Sequence, residues 1–327
     1  MQKTTRILIA LATTVSTALH AGGARAEVPT KVWVSSAGTD SLTCGALTTP
    51  CRNLSLAFDF VAAGGEIGVL TPGDYDAMGI TKSVFVTNDG VGEVGIRATN
   101  GGINILIEAG AGDTIGIRGL TLDGQVFGGA GISFTTGVAL HVQNCVIRNF
   151  ELGNVGYGIA MGPSGHSQMF VSDTIIYNNG SAANSGGIFI LPTGSGSANV
   201  VLDRVHLEDN VRGVWVDSTM STGNGAYVVV RDSVVSGNVG EGIFAVSAPG
   251  KAPAFFVVEH SSVVNNAGTG IKADGPHATM ILHDNTISRN GAGLAAVNSG
   301  QLISLGNNRN FNNLGPEGAP TGSFSPM

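Results

Sequence analysis

The sequence has few charged and few aromatic side chains, and it has no long apolar run beyond its first residues. Charged residues make up 12% and aromatic residues 6% of the 327 positions. No stretch after residue 20 is long enough to cross a lipid bilayer, which excludes a predicted transmembrane helix there. The formal net charge of −7 makes nucleic acid and anionic lipid unfavourable partners, so we expect neither nucleic-acid binding nor membrane insertion.

Residues 1–26 have the features of an export signal peptide. Lys3 and Arg6 precede an uncharged, mostly apolar stretch at 7–21, and Ala24-Arg25-Ala26 matches a small-x-small cleavage site. Cleavage there would remove three positive charges and move the net charge from −7 to −10. We therefore expect an exported protein, located in the periplasm or outside the cell. A membrane anchor is the alternative, although the apolar stretch is short for a bilayer span.

Only three cysteines occur, and two of them lie close together. Cys44 and Cys51 lie in a loop rich in Thr, Gly and Pro, and in an exported protein this pair predicts a disulfide. Their spacing is not that of a zinc finger and no second Cys/His pair follows, so we expect no metal site and no cofactor. Cys145 occupies a repeat position that other copies fill with small or polar side chains, which predicts a small, inward-facing side chain.

Glycine, by contrast, is abundant, and its 50 residues separate short runs of β-branched residues. This composition favours short strands joined by tight turns. Aligning the runs shows a repeat whose successive copies begin 24 to 31 residues apart. A weaker copy precedes them at 115–122. The six clear copies begin at Leu140, Met169, Val200, Val228, Phe256 and Met280.

Each copy contains two short strands, and a third follows after a Gly-rich turn. Strands this short cannot bury a core alone, but coils stacked about 4.8 Å apart form three parallel sheets around one apolar interior. The alignment predicts two inward apolar columns, at Val142, Val171, Leu202, Val230, Val258 and Leu282, and at Ile147, Ile176, Leu207, Val235, Val263 and Ile287. The sequence therefore predicts an all-β parallel β-helix.

A polar column recurs at one turn position of the repeat. Stacked amides can hydrogen-bond along the coil axis, and asparagine tolerates left-handed turn geometry, so we expect both at this position. A catalytic role is disfavoured because an amide is a poor acid or base. Phe150 interrupts the series, whose members are Asn179, Asn210, Asn238, Asn266 and Asn290.

The six copies resemble the right-handed parallel β-helix repeats of the pectin-lyase-like superfamily. Residues 50–75 resemble the first segment of that superfamily, in which a short amphipathic helix caps the open first coil. Leu54, Ala57 and Phe58 have the helical spacing that such a cap requires. With the early Cys pair and a late segment at 306–308, the layout resembles an uncharacterised group of exported bacterial β-helix proteins.

The resemblance extends over about residues 30–315 and implies a domain organisation. A disulfide-stapled segment at 27–53 would precede a single-stranded solenoid with its cap helix at 54–315. Residues 316–327 would form a flexible tail. The resemblance implies little about function, because this fold carries lyases, hydrolases, epimerases, tailspikes, adhesins and inert scaffolds.

The enzymes of this superfamily have catalytic motifs that the sequence lacks. There is no cluster of acidic residues that could hold calcium for a polysaccharide lyase, and no polygalacturonase-like motif. Two acids on one predicted strand face remain, Asp217 and Asp274, with Lys272 beside the second. Two coils span about 9.6 Å, which is near the upper limit for an inverting pair of carboxylates. Two solvated surface acids are the simpler interpretation.

The same strand alternation predicts an outward aromatic strip on three consecutive coils, formed by Phe189, Trp215 and Phe244. Flat apolar strips pack against the C–H faces of sugar rings, so the strip is a candidate binding site for a polysaccharide or a cell-surface glycan. The alternative is a stacked ladder that the long turns after each strand cover. Only the structure can distinguish the two.

These observations favour an exported, non-catalytic β-helix scaffold or binding protein that binds glycan through the aromatic strip. A carbohydrate-active enzyme with a divergent site near Asp217, Lys272 and Asp274 is the alternative. It would be a lyase, a hydrolase or an epimerase-like enzyme. The ligand and the oligomeric state stay open at this point.

Overall fold

The computed structural model describes residues 27–97, 102–153 and 155–324. The predicted export signal at 1–26 lies outside the described residues. Among the residues described, no helix combines the length and the apolar character that a bilayer span needs. The one short helix and the many short strands give the chain an all-β architecture.

The helix α1 spans Leu54–Phe60, and 31 strands are numbered in chain order. The first strands are β1 (Lys31–Val34), β2 (Gly65–Val69), β3 (Gly73–Asp76), β4 (Met78–Ile80), β5 (Val84–Thr87), β6 (Val94–Arg97), β7 (Ile103–Glu108), β8 (Thr114–Arg118), β9 (Thr121–Asp123) and β10 (Ala130–Thr136). The next are β11 (Ala139–Gln143), β12 (Val146–Arg148), β13 (Tyr157–Met161), β14 (His166–Ser172), β15 (Ile175–Tyr177), β16 (Gly186–Ile190), β17 (Ser197–Asp203), β18 (His206–Glu208), β19 (Val214–Asp217), β20 (Gly225–Arg231) and β21 (Val234–Ser236). The last are β22 (Ile243–Val246), β23 (Ala254–Glu259), β24 (Ser262–Val264), β25 (Thr269–Asp274), β26 (Ala278–His283), β27 (Thr286–Ser288), β28 (Ala292–Val297), β29 (Gln301–Gly306), β30 (Arg309–Phe311) and β31 (Gly322–Ser323).

The strands form three parallel sheets that run the length of the molecule, and each coil contributes one strand to each sheet. The 12-stranded sheet has the order β1-β2-β5-β8-β11-β14-β17-β20-β23-β26-β29-β31. The 10-stranded sheet runs from β3 through β6 and every third strand to β30, and the 9-stranded sheet runs from β4 through β7 and β10 to β28. The predicted right-handed parallel β-helix with three parallel sheets is confirmed.

The interior consists of the two apolar columns that the repeat predicts. Every member of both columns is buried in the structure. Adjacent members are direct partners in the strand register, as Leu207 with Val235 and Leu202 with Val230 show. Cys145 is buried as expected, and burial raises the pKa of its thiol to about 11, so it is an unreactive core side chain.

The asparagine column forms a buried hydrogen-bonded ladder, as predicted. Asn179 Nδ2 donates to Asn210 Oδ1 at 2.9 Å, and Asn266 Nδ2 donates to Asn290 Oδ1 at 2.8 Å. The expected left-handed geometry at these positions is wrong, because the positive φ belongs to the residue before each ladder member. Those preceding residues are Asn178, Asp209, Gly237, Asn265 and Arg289. The turn thus places the residue with positive φ on the outside, and the amide of the next residue points into the interior.

The N-terminal segment is part of the sheet rather than a separate unit. Strand β1 pairs in parallel with β2, so the 12-stranded sheet begins before the expected solenoid boundary at residue 54. The predicted disulfide between Cys44 and Cys51 is present. Helix α1 buries Leu54 and Phe58, and Lys82 lies 4.6 Å above the Phe58 ring. The predicted cap helix therefore covers the first coil.

The end of the chain differs from the flexible tail expected at 316–327. Gly293 and Leu294 donate their backbone N–H groups to the carbonyls of Pro316 and Glu317, at 2.9 and 2.8 Å. Strand β31 then pairs with β29. Residues 316–324 therefore lie against the last coil, because that coil would otherwise leave its strand edges unpaired.

Candidate functional site

The three aromatic side chains of the predicted strip lie next to each other on the 9-stranded sheet. Phe189, Trp215 and Phe244 are successive partners in the register of β16, β19 and β22. The ring centroids of Phe189 and Trp215 are 4.3 Å apart, and those of Trp215 and Phe244 are 6.2 Å apart. Tyr157 adds a fourth ring, 5.3 Å from Phe189. We call these four side chains the aromatic ladder.

Two rings of the aromatic ladder are covered. Trp215 is 9% exposed and Phe244 is 6% exposed. The Arg212 guanidinium lies 4.6 Å from the Trp215 ring, and Lys272 Nζ lies 4.7 Å from the Phe244 ring. The long turns were the expected cover. The two cations come instead from a short turn (Arg212) and from the neighbouring strand (Lys272). The ladder is therefore a packed structural element over much of its length.

Glu241 holds the two covering cations in place. It accepts from Arg212 Nε at 2.9 Å and lies 3.4 Å from Lys272 Nζ. Burial of Glu241 disfavours its charged form, but the hydrogen bond and the charge of Arg212 outweigh this effect and lower its pKa. Arg212 Nη1 and Trp215 Nε1 are buried without a hydrogen-bond partner among the described residues. The guanidinium stacked on the indole ring provides a cation–π contact in place of further hydrogen bonds.

The three candidate catalytic residues lie close together on the sheet, but the two acids have different hydrogen-bond partners. Asp217 and Asp274 lie in one column with Val246 between them, as the predicted two-coil spacing requires. Asp217 accepts hydrogen bonds from the backbone N–H and the hydroxyl of Thr219, at 2.9 and 2.6 Å. Asp274 accepts from Asn298 Nδ2 at 2.8 Å, and Lys272 lies 3.9 Å from it. The Asp217 carboxylate thus orders its own turn, and the Asp274 carboxylate ties its strand to Asn298 of the next coil.

One group of three potential metal ligands exists within the part of the chain that the structure describes. It consists of Asp40, Cys44 and Cys51. The two sulfur atoms form the disulfide and cannot ligate as thiolates. Asp40 accepts the backbone N–H groups of Arg52 and Asn53, at 2.8 and 3.1 Å. This carboxylate therefore orders the turn that leads into α1.

A second aromatic surface, which sequence analysis missed, lies on the outer face of the 12-stranded sheet. Phe85, Gly116, His141 and Phe170 are successive register partners on β5, β8, β11 and β14. The rings of His141 and Phe170 stack at 4.8 Å with an interplanar angle of 11°. Phe85 is 39% exposed, and its ring lies over Gly116, where a Cβ atom would approach to 2.3 Å. We call Phe85, His141 and Phe170 the aromatic platform.

An open polar cavity of about 720 Å³ adjoins the aromatic platform. It lies where the same strands enter their turns, so platform and cavity share one end of the sheet. Its carboxylates are paired: Asp89 with Arg118, and Asp173 with Arg204 at 2.7 Å. The hydrogen bond from Arg204 lowers the pKa of Asp173. The lining residues are Asn88, Asp89, Gly90, Arg118, Gln143, Asn144 and Asp173.

The repeat alignment is enough to predict two of the three platform residues. His141 and Phe170 follow the first residues of their repeat copies, so alternation places both side chains outward. Phe85 lies outside the aligned copies, and only the stacked strands bring it into the same column.

The family model described as the right handed beta helix region matches residues 101–310, which is well over half of the chain. The chain belongs to the right-handed β-helix family. No curated protein matches this member of the family.

A solved structure shares the overall architecture of this β-helix protein. A chain described as "Crystal structure of pectate lyase Pel9A" matches with a TM-score of 0.58 and 15% sequence identity, covering 84% of this chain and 75% of that one. A chain described as "Geobacillus virus E2 - ORF18" matches with a TM-score of 0.45 and 14% identity, covering 79% of this chain and 55% of that one. At such low identity the pectate lyase shows a shared fold alone.

Proposed function

We propose that this β-helix protein is exported and binds an extended glycan chain on the aromatic platform without cleaving it. The observation that carries the proposal is the exposed platform beside an open, polar cavity on one sheet face. Sugar rings have apolar C–H faces and hydroxyl edges, so they need a flat aromatic surface and hydrogen-bonding groups at its side. The platform and the cavity supply the two together.

The geometry of the sheet suits a chain that lies along the coil axis. Adjacent coils lie about 4.8 Å apart, which is close to the length of one sugar ring in an extended chain. The platform extends over four coils, because the Phe85 ring lies over Gly116 of the second. The cavity residues Gln143 and Asn144 supply amide donors and acceptors beside the stacked His141 and Phe170 rings. The aromatic ladder offers less exposed ring surface to a sugar, because Trp215 and Phe244 are covered by cations.

The charges in the cavity support binding rather than hydrolysis. Glycoside hydrolysis needs one carboxylic acid whose pKa is raised so that it can donate a proton. Asp89 and Asp173 are each paired with an arginine, and the pKa of Asp173 is lowered. With its pKa lowered, the Asp173 carboxylate stays ionised at neutral pH and can accept hydrogen bonds from hydroxyl groups. The carbohydrate-active enzyme stays the alternative that the experiment must test.

The test uses the protein that begins at residue 27 and an array of neutral and acidic glycans. We expect Phe85→Ala and Phe170→Ala each to weaken the affinity of a captured glycan about tenfold, which corresponds to about 1.4 kcal/mol. Phe127→Ala is the matched control, because Phe127 is exposed but lies off the platform. Circular dichroism should be unchanged in all three variants.

The proposal fails if the wild-type protein binds no glycan on the array, or if Phe127→Ala weakens binding as much as the platform variants. Incubating the bound glycans with the protein, with and without calcium, tests the alternative. Unsaturated products or new reducing ends would show a lyase or a hydrolase. Loss of that turnover in Asp217→Asn would place the reaction at the site considered in the sequence analysis.

A further inference from the structure

The C-terminal half of the 12-stranded sheet has an apolar outer face of a different character from the platform. Five aliphatic side chains, one on each of five consecutive strands, form a column on β17, β20, β23, β26 and β29. All five are partly exposed. We call them the aliphatic stripe; its members are Val201, Val229, Val257, Ile281 and Ile303.

Two further outward columns flank the aliphatic stripe. On one side, Tyr227 and Phe255 are register partners with ring centroids 5.7 Å apart, between Asn199 and Thr279. On the other side lies a column of charged and titratable residues in which the sign alternates from coil to coil. In strand order it is Asp203, Arg231, Glu259 and His283.

We propose that two copies of this chain pack these faces together around a two-fold axis parallel to the strands, between β20 and β23. Such an axis reverses the coil order and keeps each column opposite itself. Val229 then faces Val257 of the second copy, and Val201 faces Ile281 of the second copy. Flat sheets with apolar outer faces pack about 10 Å apart, with strand directions aligned to within about 30°.

The charged column is complementary to itself under this operation. Arg231 faces Glu259 of the second copy. Asp203, which is buried and paired with Arg204 and Arg231 of its own chain, faces His283 of the second copy. Tyr227 likewise faces Phe255 of the second copy, so the two aromatic rings of one copy pack on the two aromatic rings of the other. The Arg231–Glu259 contact and the matched apolar columns recur on both sides of the axis, as an isologous interface requires.

The other two-fold arrangement of the same faces is unfavourable. An axis along the coil axis would keep the coil order and exchange the two flanking columns. Glu259, which has no ion pair among the described residues, would then lie against Phe255 of the second copy and lose water without gaining a charged partner. Burying unpaired charges is costly, so the structure favours the axis parallel to the strands.

The contact is large enough for a dimer and leaves two of the three platform residues accessible. Six strands from β14 to β29, about 4.8 Å apart and about 20 Å long, bury roughly 600 Å² per copy, or about 1,200 Å² in total, which is the lower end for specific interfaces. Of the platform residues, Phe85 and His141 lie on β5 and β11, outside this area, whereas Phe170 lies on β14 at its edge. The Phe85→Ala variant therefore tests glycan binding without touching the dimer contact, so each proposal can fail without the other.

Sedimentation velocity at increasing protein concentration tests the dimer. We expect the wild-type protein to dimerise, and Val229→Lys and Val257→Glu each to be monomeric, because each variant buries an unpaired charge. An equimolar mixture of the two variants should form a heterodimer, because Lys and Glu then meet across the axis. Val234→Lys, on the 10-stranded sheet, is the matched control and should leave the dimer intact.

A cross-linking experiment tests the register with milder substitutions. Asn199 faces Thr279 of the second copy, whereas three strand spacings separate the two positions within one chain. A chain that carries both Asn199→Cys and Thr279→Cys should give a covalent dimer with a short thiol cross-linker, and either single variant should not. A wild-type protein that stays monomeric at all concentrations, or equal cross-linking of the single variants, would overturn the proposal.

Discussion

Single residues of the asparagine ladder satisfy almost all of their hydrogen-bonding capacity inside the coil. Asn238 Nδ2 donates to the Leu207 carbonyl at 3.2 Å and to Asn266 Oδ1 at 2.7 Å, while its Oδ1 accepts the backbone N–H of Asn210. The side chain is fully buried, so each lost partner would leave a polar group without water. The ladder thus ties each coil to the next.

We expect Asn238→Ala to lower the free energy of unfolding by about 1–3 kcal/mol, because the backbone N–H of Asn210 and the carbonyl of Leu207 lose their partner. Urea unfolding followed by circular dichroism measures the change. The control is Asn199→Ala, at an exposed position of β17, which should change stability by less than about 0.5 kcal/mol. Equal effects of the two substitutions would contradict the structural role of the ladder.

At the scale of elements, the aromatic ladder depends on a turn that is distant in sequence. Arg212 precedes β19, and Glu241 precedes β22, yet their hydrogen bond joins consecutive coils. Strand alternation predicts that Trp215 points outward, but it does not predict the cation above the ring. An outward side chain can therefore be as buried as a core residue.

The Glu241 ion pairs should make stability depend on acid pH. Because the folded-state pKa of Glu241 is lowered, its contribution is complete above the unfolded-state pKa of about 4.3 and is lost as the pH falls through the folded-state value. We expect Glu241→Gln to cost about 1–3 kcal/mol at pH 7 and to weaken the pH dependence below about pH 4.5. Urea unfolding at pH 7 and pH 4 measures both effects.

Tryptophan fluorescence gives a second measurement for the same variant. Losing the anion should loosen Arg212 and make Trp215 more accessible to acrylamide quenching. Glu208→Gln is the matched control, because Glu208 pairs with His206 at the surface, where an ion pair contributes little. Unchanged quenching in Glu241→Gln would show that Arg212 stays on the ring without its partner.

Both ends of the whole molecule are covered by the chain itself. Helix α1 lies on the first coil, and residues 316–324 pair with the last one. A β-helix has no closed barrel, so its terminal strands would otherwise present free edges to other chains. The short segments at the two ends therefore have a protective role.

Removing residues 316–327 should destabilise the protein and promote association through the exposed strands. Four backbone hydrogen bonds to the last coil are lost, from or to Pro316, Glu317, Thr321 and Phe324, and at about 0.5–1.5 kcal/mol each this corresponds to about 2–6 kcal/mol. Thermal unfolding and light scattering measure the two effects. Leu314→Ala, at a highly exposed position, is the control. An unchanged unfolding midpoint would contradict the capping role.

The sequence by itself determined the coil architecture, because each coil repeats the same local pattern of inward aliphatics, turn asparagines and glycines. Period-2 alternation and a fixed repeat length specify which side chains share a column, so the core, the ladder and the disulfide were predictable from residues near one another in the chain. The cap helix followed from the helical spacing of Leu54, Ala57 and Phe58 in the segment that resembles the superfamily's first coil.

Exposure was decided only by the tertiary structure. Arg212, Glu241 and Lys272 come from three different coils, and their combined position turns the expected binding strip into a covered ladder. Phe85 lies before the recognisable repeats, and stacking of β5 on β8 brings it into the column of His141 and Phe170. The column to which a side chain belongs is a local property of the sequence. The burial of an outward side chain depends instead on long side chains and turns about one coil away, and the repeat pattern does not specify these.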